Sequence, residues 1–284
     1  MRKRLAVLMT CHNRRKMTLR CMRELLAQLG KEDRVFLVDD GSTDGTGNAI
    51  ESFNAEAQRR GEAARVSVLV GDGSLYWAKG MRKAWDAAGD DWEGYLWLND
   101  DTDLANDAIF RLMSHVSCPH SSALPQVLVG DIVDERGKKI YGLGDDGLFN
   151  GNFVFVPCAV VRKVGRICDG YAHAWADSDY AMRCMRVGIE VESIGEVGKA
   201  EAHPLRPSLT GKRLVERWRL LFDPKGWNLH DLWLYRRRNW SIFHAVASVV
   251  HMAFHVLFSR AEHVERIECS TRPGRNQPRV LGEL

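Results

Sequence analysis

From residue 5 to about residue 132 the chain alternates short, unbroken apolar runs with longer segments of helical spacing. The runs are residues 5–10, 35–39, 66–70, 95–99 and 127–132. Continuous apolar character, as opposed to every second position, belongs to strands buried on both faces of a parallel sheet. Residues 16–29, 47–60, 76–88 and 105–116 lie between them and carry apolar positions at amphipathic-helix spacing. This βαβ alternation predicts an α/β sheet whose ligands bind beyond the carboxyl ends of its strands. A further short element is expected over 152–156, then a brief helical stretch after Pro157 and a helix over 177–187.

After residues 203–207 the texture changes to tryptophan, arginine and helical segments. We therefore expect one domain over 1–205 and a basic, mainly helical region over 206–284. Of the 284 residues, 45% are hydrophobic and 27% charged, which excludes a disordered chain. The net charge of +3 hides an asymmetry. Residues 1–205 carry 26 Lys and Arg against 30 Asp and Glu, or −4, whereas 206–284 carry 14 against 7, or +7.

Within the basic region, Ser241, His244, Ser248, His251 and His255 recur at spacings of three and four, leaving the intervening surface apolar. An amphipathic helix is expected there rather than a membrane span, preceded by Arg236, Arg237 and Arg238. Two readings stay open. The helix docks at an anionic membrane surface through 236–258, or it packs on the first domain or in a homodimer. No nucleic-acid partner is expected.

The seven cysteines are scattered and form no C-x-x-C pair, so neither a disulfide framework nor a zinc knuckle is expected. A cytoplasmic location fits this usage. The apolar stretch near the start, residues 5–9, is too short for an export signal and reads as a first strand.

Two strand ends carry the candidate chemistry. The run over 35–38 ends in Asp39-Asp40-Gly41-Ser42-Thr43-Asp44-Gly45-Thr46, which suits a polar ligand and equally suits an ordinary tight turn. The run over 95–98 ends in Asn99-Asp100-Asp101-Thr102-Asp103. Three carboxylates within four residues repel one another unless solvated or neutralised by a cation, and hard oxygen ligands suit Mg²⁺ or Mn²⁺. The alternative is a solvated acidic loop in which Asp103 caps the next helix. Both acidic groups end strands of one sheet, which points to a shared crevice.

These runs, the opening Thr10-Cys11-His12-Asn13-Arg14, and Asn150-Gly151-Asn152 followed by Asp177-Ser178-Asp179 together resemble family 2 glycosyltransferases with the GT-A fold. The similarity covers about residues 4–195. It implies a mostly parallel central sheet flanked by helices, a nucleotide-diphosphate sugar donor, a divalent cation and inversion at the anomeric carbon. By the same resemblance, Thr10 and Asp39 hold the nucleoside, Asp100 lies beside the donor, Asp101 is the metal ligand and Asp177 is the catalytic base. Arg82 falls where relatives often carry a donor-binding residue; its alternative is a helix-face arginine.

Chemistry supports the allocation independently. Inverting transfer needs a carboxylate to take the acceptor's proton, opposite a leaving diphosphate whose charge a cation stabilises. For Asp177 the competing reading is a helix N-cap, and for Asp179 a first-turn acid facing the helix dipole. Trp77 stacks on a sugar or packs. The G-x-G-x-x-G match at 142–147 is rejected as a dinucleotide site, since its acids repel a pyrophosphate. His203 reads as a loop histidine. The expected activity is inverting, metal-dependent transfer of one hexosyl or deoxyhexosyl group to a hydroxyl of a glycan or lipid-linked oligosaccharide, peripheral at the inner face of the membrane. The alternatives are a sugar-nucleotide pyrophosphorylase and a non-catalytic sugar-nucleotide-binding scaffold.

Overall fold

The structure, a computed structural model, describes residues 4–61, 63–117, 125–202 and 206–258. His203 and the rest of the expected boundary, residues 204–205, lie outside the described residues. The chain forms two compact units, Met1–His203 and Pro204–Leu284.

The first unit opens with β1 (Leu5–Cys11), α1 (Arg15–Gln28), β2 (Arg34–Asp39), α2 (Thr46–Arg59), β3 (Val66–Val70), α3 (Tyr76–Ala88) and β4 (Gly94–Leu98). The continuous apolar runs fall on these strands, and every residue of β1 and of β4 is buried. Sheet order begins β3-β2-β1-β4, all parallel, with Cys11 opposite Asp39 at the carboxyl ends of β1 and β2. Leu5, Val7 and Met9 pack with Met22 and Leu25 of α1 in the main core. An aromatic cluster also forms: Trp85 of α3 lies 5.1 Å from Tyr95 and 5.7 Å from Trp97.

Beyond β4 come β5 (Asp103–Leu104), α4 (Ala108–Ser117), β6 (Val127–Val133), β7 (Lys139–Tyr141), β8 (Phe153–Pro157), α5 (Cys158–Val164), α6 (Ala176–Arg186) and β9 (Val191–Lys199). Here the sheet turns mixed. β8 inserts antiparallel between β4 and β6, β9 runs parallel to β6, and β5 pairs antiparallel with β9. Periodicity does not announce β9, because Glu192, Ser193 and Glu196 interrupt its apolar positions and Gly195 takes a left-handed φ of +78° where the register shifts. The 142–147 glycines lie in the loop between β7 and β8, where Gly144 N–H donates to the Leu148 carbonyl, 2.8 Å.

The second unit contains α7 (Leu214–Leu220), α8 (Leu229–Asn239) and α9 (Ile242–Phe258), with α9 packed on both α8 and α7. The apolar surface of α9 is divided in two. Ala245, Met252 and Val256 are buried, whereas Phe243, Val246, Val250, Phe254 and Phe258 face outward, Phe243 being 81% exposed. At 100° per residue these stripes lie on nearly opposite sides, with His244, His251 and His255 between them. Among the described residues no helix is long and apolar enough to cross a membrane.

A test of the sheet's packing is available at Gly94, where an added Cβ would stand 2.2 Å from the Phe155 ring on the neighbouring strand. Overfilling a tight core costs about 1–3 kcal/mol. Gly94→Ala is expected to lower the free energy of unfolding by that amount, read as a lower urea midpoint with an unchanged slope. An unaltered midpoint would show that the ring yields freely.

Candidate active site

Three non-glycine residues of the first unit take the left-handed region: Asn13 after β1 at φ +51°, Tyr76 at the start of α3 at +53° and Trp175 just before α6 at +70°. Such conformations persist only where surrounding contacts impose them. For Asn13 those contacts are explicit. Its N–H donates to Ser42 Oγ (2.9 Å), and its side-chain oxygen accepts the Thr43 N–H (2.7 Å), lacing the loop after β1 to the loop after β2. Beside it, His12 Nδ1 donates to the Asp40 carbonyl at 2.6 Å. Asp44 completes the lacing by accepting the Arg15 and Thr46 N–H groups (3.0 and 3.1 Å). Hydrogen bonding, the Thr46 hydroxyl first, holds its carboxyl below the usual range.

Asp39 and Asp40, adjacent in sequence, do different work. Asp40 is buried, and its carboxylate accepts the N–H groups of Gly73, Leu75 and Tyr76 at 2.9–3.0 Å. It therefore fixes the entry to α3 and is bound up with backbone. Asp39 accepts one backbone N–H, from Ser42 at 3.0 Å, through Oδ1. Its Oδ2 lies beside Gly47, where a Cβ would come within 2.6 Å. Thr10 closes this corner against Gly80 of α3, with room for no side chain at that glycine, since a Cβ would meet Thr10 Oγ1 at 2.5 Å.

The end of β4 is organised by residue type. Asn99 accepts the indole N–H of Trp77 (2.9 Å) and donates to Asn152 Oδ1 (2.5 Å), and its own N–H donates to the Asn152 carbonyl. Asn99 is thus a clamp between α3 and the loop before β8. Asp100 is almost fully buried, accepts the Thr18 hydroxyl at 2.8 Å and pairs with Arg14 Nη2 at 3.2 Å. Burial pushes its carboxyl up to about 6, with Arg14 pulling the other way. Asp101, more accessible, pairs with Arg14 Nη1. Asp103 is not a helix cap; it begins β5 and pairs with Arg20.

Asp177 stands in the first turn of α6, whose N-cap is Trp175, so the simple capping reading fails. One carboxylate oxygen accepts the Ser178 N–H at 2.8 Å and the other accepts the Gly151 N–H at 3.1 Å. Burial raises its pKa, and these two bonds oppose the rise. Gly151 itself sits under the Trp77 ring, where a Cβ would be 2.1 Å away; Trp77 packs here. Asp179 is fully buried and paired with Arg183 Nε at 3.1 Å, which withdraws it from acid–base work.

Thr10 and Asp39 thus lie at the carboxyl ends of β1 and β2, Asp100 and Asp101 just after β4, and Asp177 in the first turn of α6. Arg82 is directed elsewhere: its Nε donates to Asp86 at 2.9 Å and its Nη1 to the Ile167 carbonyl at 3.1 Å, which is the helix-face reading. Sequence reasoning missed Arg14 and Thr18 as partners of the acid pair, and Asn152 as the partner of Asn99. A groove between α1 and α2, lined by Arg15, Leu19, Asn48 and Phe53, contains none of these acids.

A parallel sheet that turns mixed at β8, with acids gathered at the ends of β2 and β4, is the arrangement of the GT-A fold. The profile of glycosyl transferase family 2 matches residues 6–155, and the chain belongs to that family. No curated protein sequence matches it. Among solved structures it is similar to a mannosyltransferase from Pyrobaculum calidifontis, in complex with GDP-Man and Mn²⁺, at TM-score 0.58 and 15% identity. That alignment covers 96% of this chain and 77% of the other. It is also similar to residues 1–349 of TarS from S. aureus, at TM-score 0.54 and 14% identity, covering 91% and 73%. The same TarS segment in complex with UDP gives 0.50, 16%, 90% and 73%.

The division of labour between the neighbouring aspartates is testable by unfolding. Asp40→Ala leaves three backbone N–H groups without their acceptor, and an unsatisfied buried group costs about 1–3 kcal/mol. Asp39→Ala removes one such bond. Asp40→Ala is expected to melt well below Asp39→Ala in differential scanning calorimetry; the reverse order would refute the assignment.

Proposed function

We propose that the chain transfers one hexosyl or deoxyhexosyl group, with inversion, from a nucleotide-diphosphate sugar to a hydroxyl of a glycan or lipid-linked oligosaccharide. The observation that supports this most is the tie between two kinds of acid. Asn99, next to Asp100 and Asp101, is bonded to Asn152, and its neighbour Gly151 is bonded to Asp177. One loop therefore holds the proposed base beside the strand end that carries the acid pair.

In this reading Asp39 and Thr10 take the nucleoside, Asp100 stays as a buried charge beside the donor, and Asp177 removes the proton from the acceptor hydroxyl. The residues present fit a divalent cation. The acid pair already meets a cationic group, Arg14, at both carboxylates. Among the described residues no three His, Cys, Asp or Glu side chains gather for a metal, so Asp101 would hold it with oxygens of the donor diphosphate completing the shell. Bound there, a cation supplies charge to the leaving diphosphate. GDP-Man with Mn²⁺ in the Pyrobaculum enzyme and UDP in TarS accord with this reading. Family membership disfavours a pyrophosphorylase, and the presence of both Asp101 and Asp177 disfavours a scaffold.

We also propose that the second unit docks on anionic membranes. Outward Phe243, Val246, Val250 and Phe254, with exposed Arg237 and Arg238 just before α9, have the character of an in-plane interfacial helix. The protein is expected to co-sediment with phosphatidylglycerol vesicles, less so at high salt, and Phe243→Asp with Phe254→Asp should abolish this. Concentration-dependent dimerisation lost in the same variant, without vesicle binding, would instead assign the stripe to a second copy.

The catalytic claim rests on Asp177→Asn, which keeps one acceptor oxygen for either the Gly151 or the Ser178 N–H but cannot accept a proton. Transfer should fall about 100-fold or more with donor affinity retained, and the melting temperature should drop only by what the loss of one hydrogen bond costs, about 1–3 kcal/mol. Because the raised pKa of Asp177 must be exceeded for it to act as a base, wild-type transfer should rise with pH through a value above the ordinary Asp range. A folded, donor-binding variant with near-normal transfer removes Asp177 from the role.

A further inference from the structure

The acid pair at the end of β4 is bridged by one side chain. Arg14 places Nη1 on Asp101 and Nη2 on Asp100, the second at 3.2 Å, so a single guanidinium spans both carboxylates. Asp100 is 1% exposed, and water cannot solvate its charge; Arg14 remains 41% exposed on its other side. The backbone beneath it is fixed on either flank, by Asn13 bonded to Ser42 and Thr43 and by Arg15 N–H bonded to Asp44. Only the side chain of Arg14 is therefore left to move, and it can leave the pair by rotation about its own bonds.

We propose that Arg14 is the resident counterion of Asp100 and Asp101 and is exchanged for the divalent cation. The inference rests on the metal reading above and adds to it an order of events. Two cations cannot share the Asp101 carboxylate without repulsion, and a metal arriving alone must displace a bidentate partner. A metal arriving with a diphosphate brings further ligands that offset that loss. The nucleotide-free protein is thereby biased against free metal, and the exchanged guanidinium, planar and well matched to phosphate oxygens, is released on the donor side of the acids.

The test is Mn²⁺ binding by the full chain without nucleotide, read from the electron paramagnetic resonance signal of the free ion and from thermal shift. Arg14→Gln is expected to bind Mn²⁺ about tenfold more tightly than wild type, the scale of two modest ion pairs removed. Its melting temperature should also rise more on Mn²⁺ addition. Arg14→Lys keeps the charge but not the two-pronged fork, and is expected to be intermediate, about threefold tighter. It carries the test should Arg14→Gln fail to fold, and equal affinity of Arg14→Lys and wild type then overturns the exchange. Asp101→Asn should remove the site in each background. Equal Mn²⁺ affinity in wild type and Arg14→Gln, with an Asp101-dependent site present in both, overturns the exchange and leaves the metal reading standing. No Asp101-dependent binding in any variant, even with UDP or GDP added, overturns the metal reading and the exchange with it.

Discussion

Carboxylates crowd the carboxyl edge of this sheet, and the requirement that each be compensated shapes everything around them. Asp40 is compensated by backbone N–H groups at the start of α3, Asp44 by those at the starts of α1 and α2, and Asp100 with Asp101 by one guanidinium. Each solution anchors a loop. The loops after β1, β2 and β3 are held in place because acids that cannot be left bare recruit their backbone. What remains less fully tied down, Asp39 and the outer face of Asp101, is what a ligand can use. Binding capacity and loop order thus have a common electrostatic origin.

The parallel half of the fold was legible because its strands are buried on both faces and its helices are amphipathic, two patterns that periodicity reads directly. The mixed half was not. β9 carries two glutamates, a serine and two glycines and pairs with β6 through register shifts, so nothing in its local pattern marks a buried strand. The site shows the same split. Acids at strand ends can be found by inspection, whereas the partner of each depends on which side chains the fold brings across tens of residues. Thr18 reaches Asp100 from the first turns of α1, 82 positions earlier in the chain, and no spacing rule records that. Arg82 shows the converse: a plausible place after a glycine, and a side chain that turns to Asp86 on its own helix.

The basic region carried a subtler ambiguity. Polar residues at spacings of three and four describe one polar side of α9, and a two-sided helix is the natural reading. The structure divides the apolar remainder into a stripe that packs on its own unit and a stripe that does not. A helix with two apolar sides looks, from sequence, like a helix with one broad one. Only the neighbours of α9 distinguish them, and those neighbours, α7 and α8, have weak periodicity of their own.

Trp77 stands where the two halves of the crevice meet. Its indole N–H is fastened to the clamp at the end of β4, and its ring rests on Gly151, the last glycine of the loop before β8. The ring is therefore in touch with both the residue beside the acids of β4 and the glycine whose N–H holds Asp177. A smaller residue at position 77 would leave a void above Gly151 and any side chain at position 151 would collide with the ring, so the two positions are bound to one another as a matched pair.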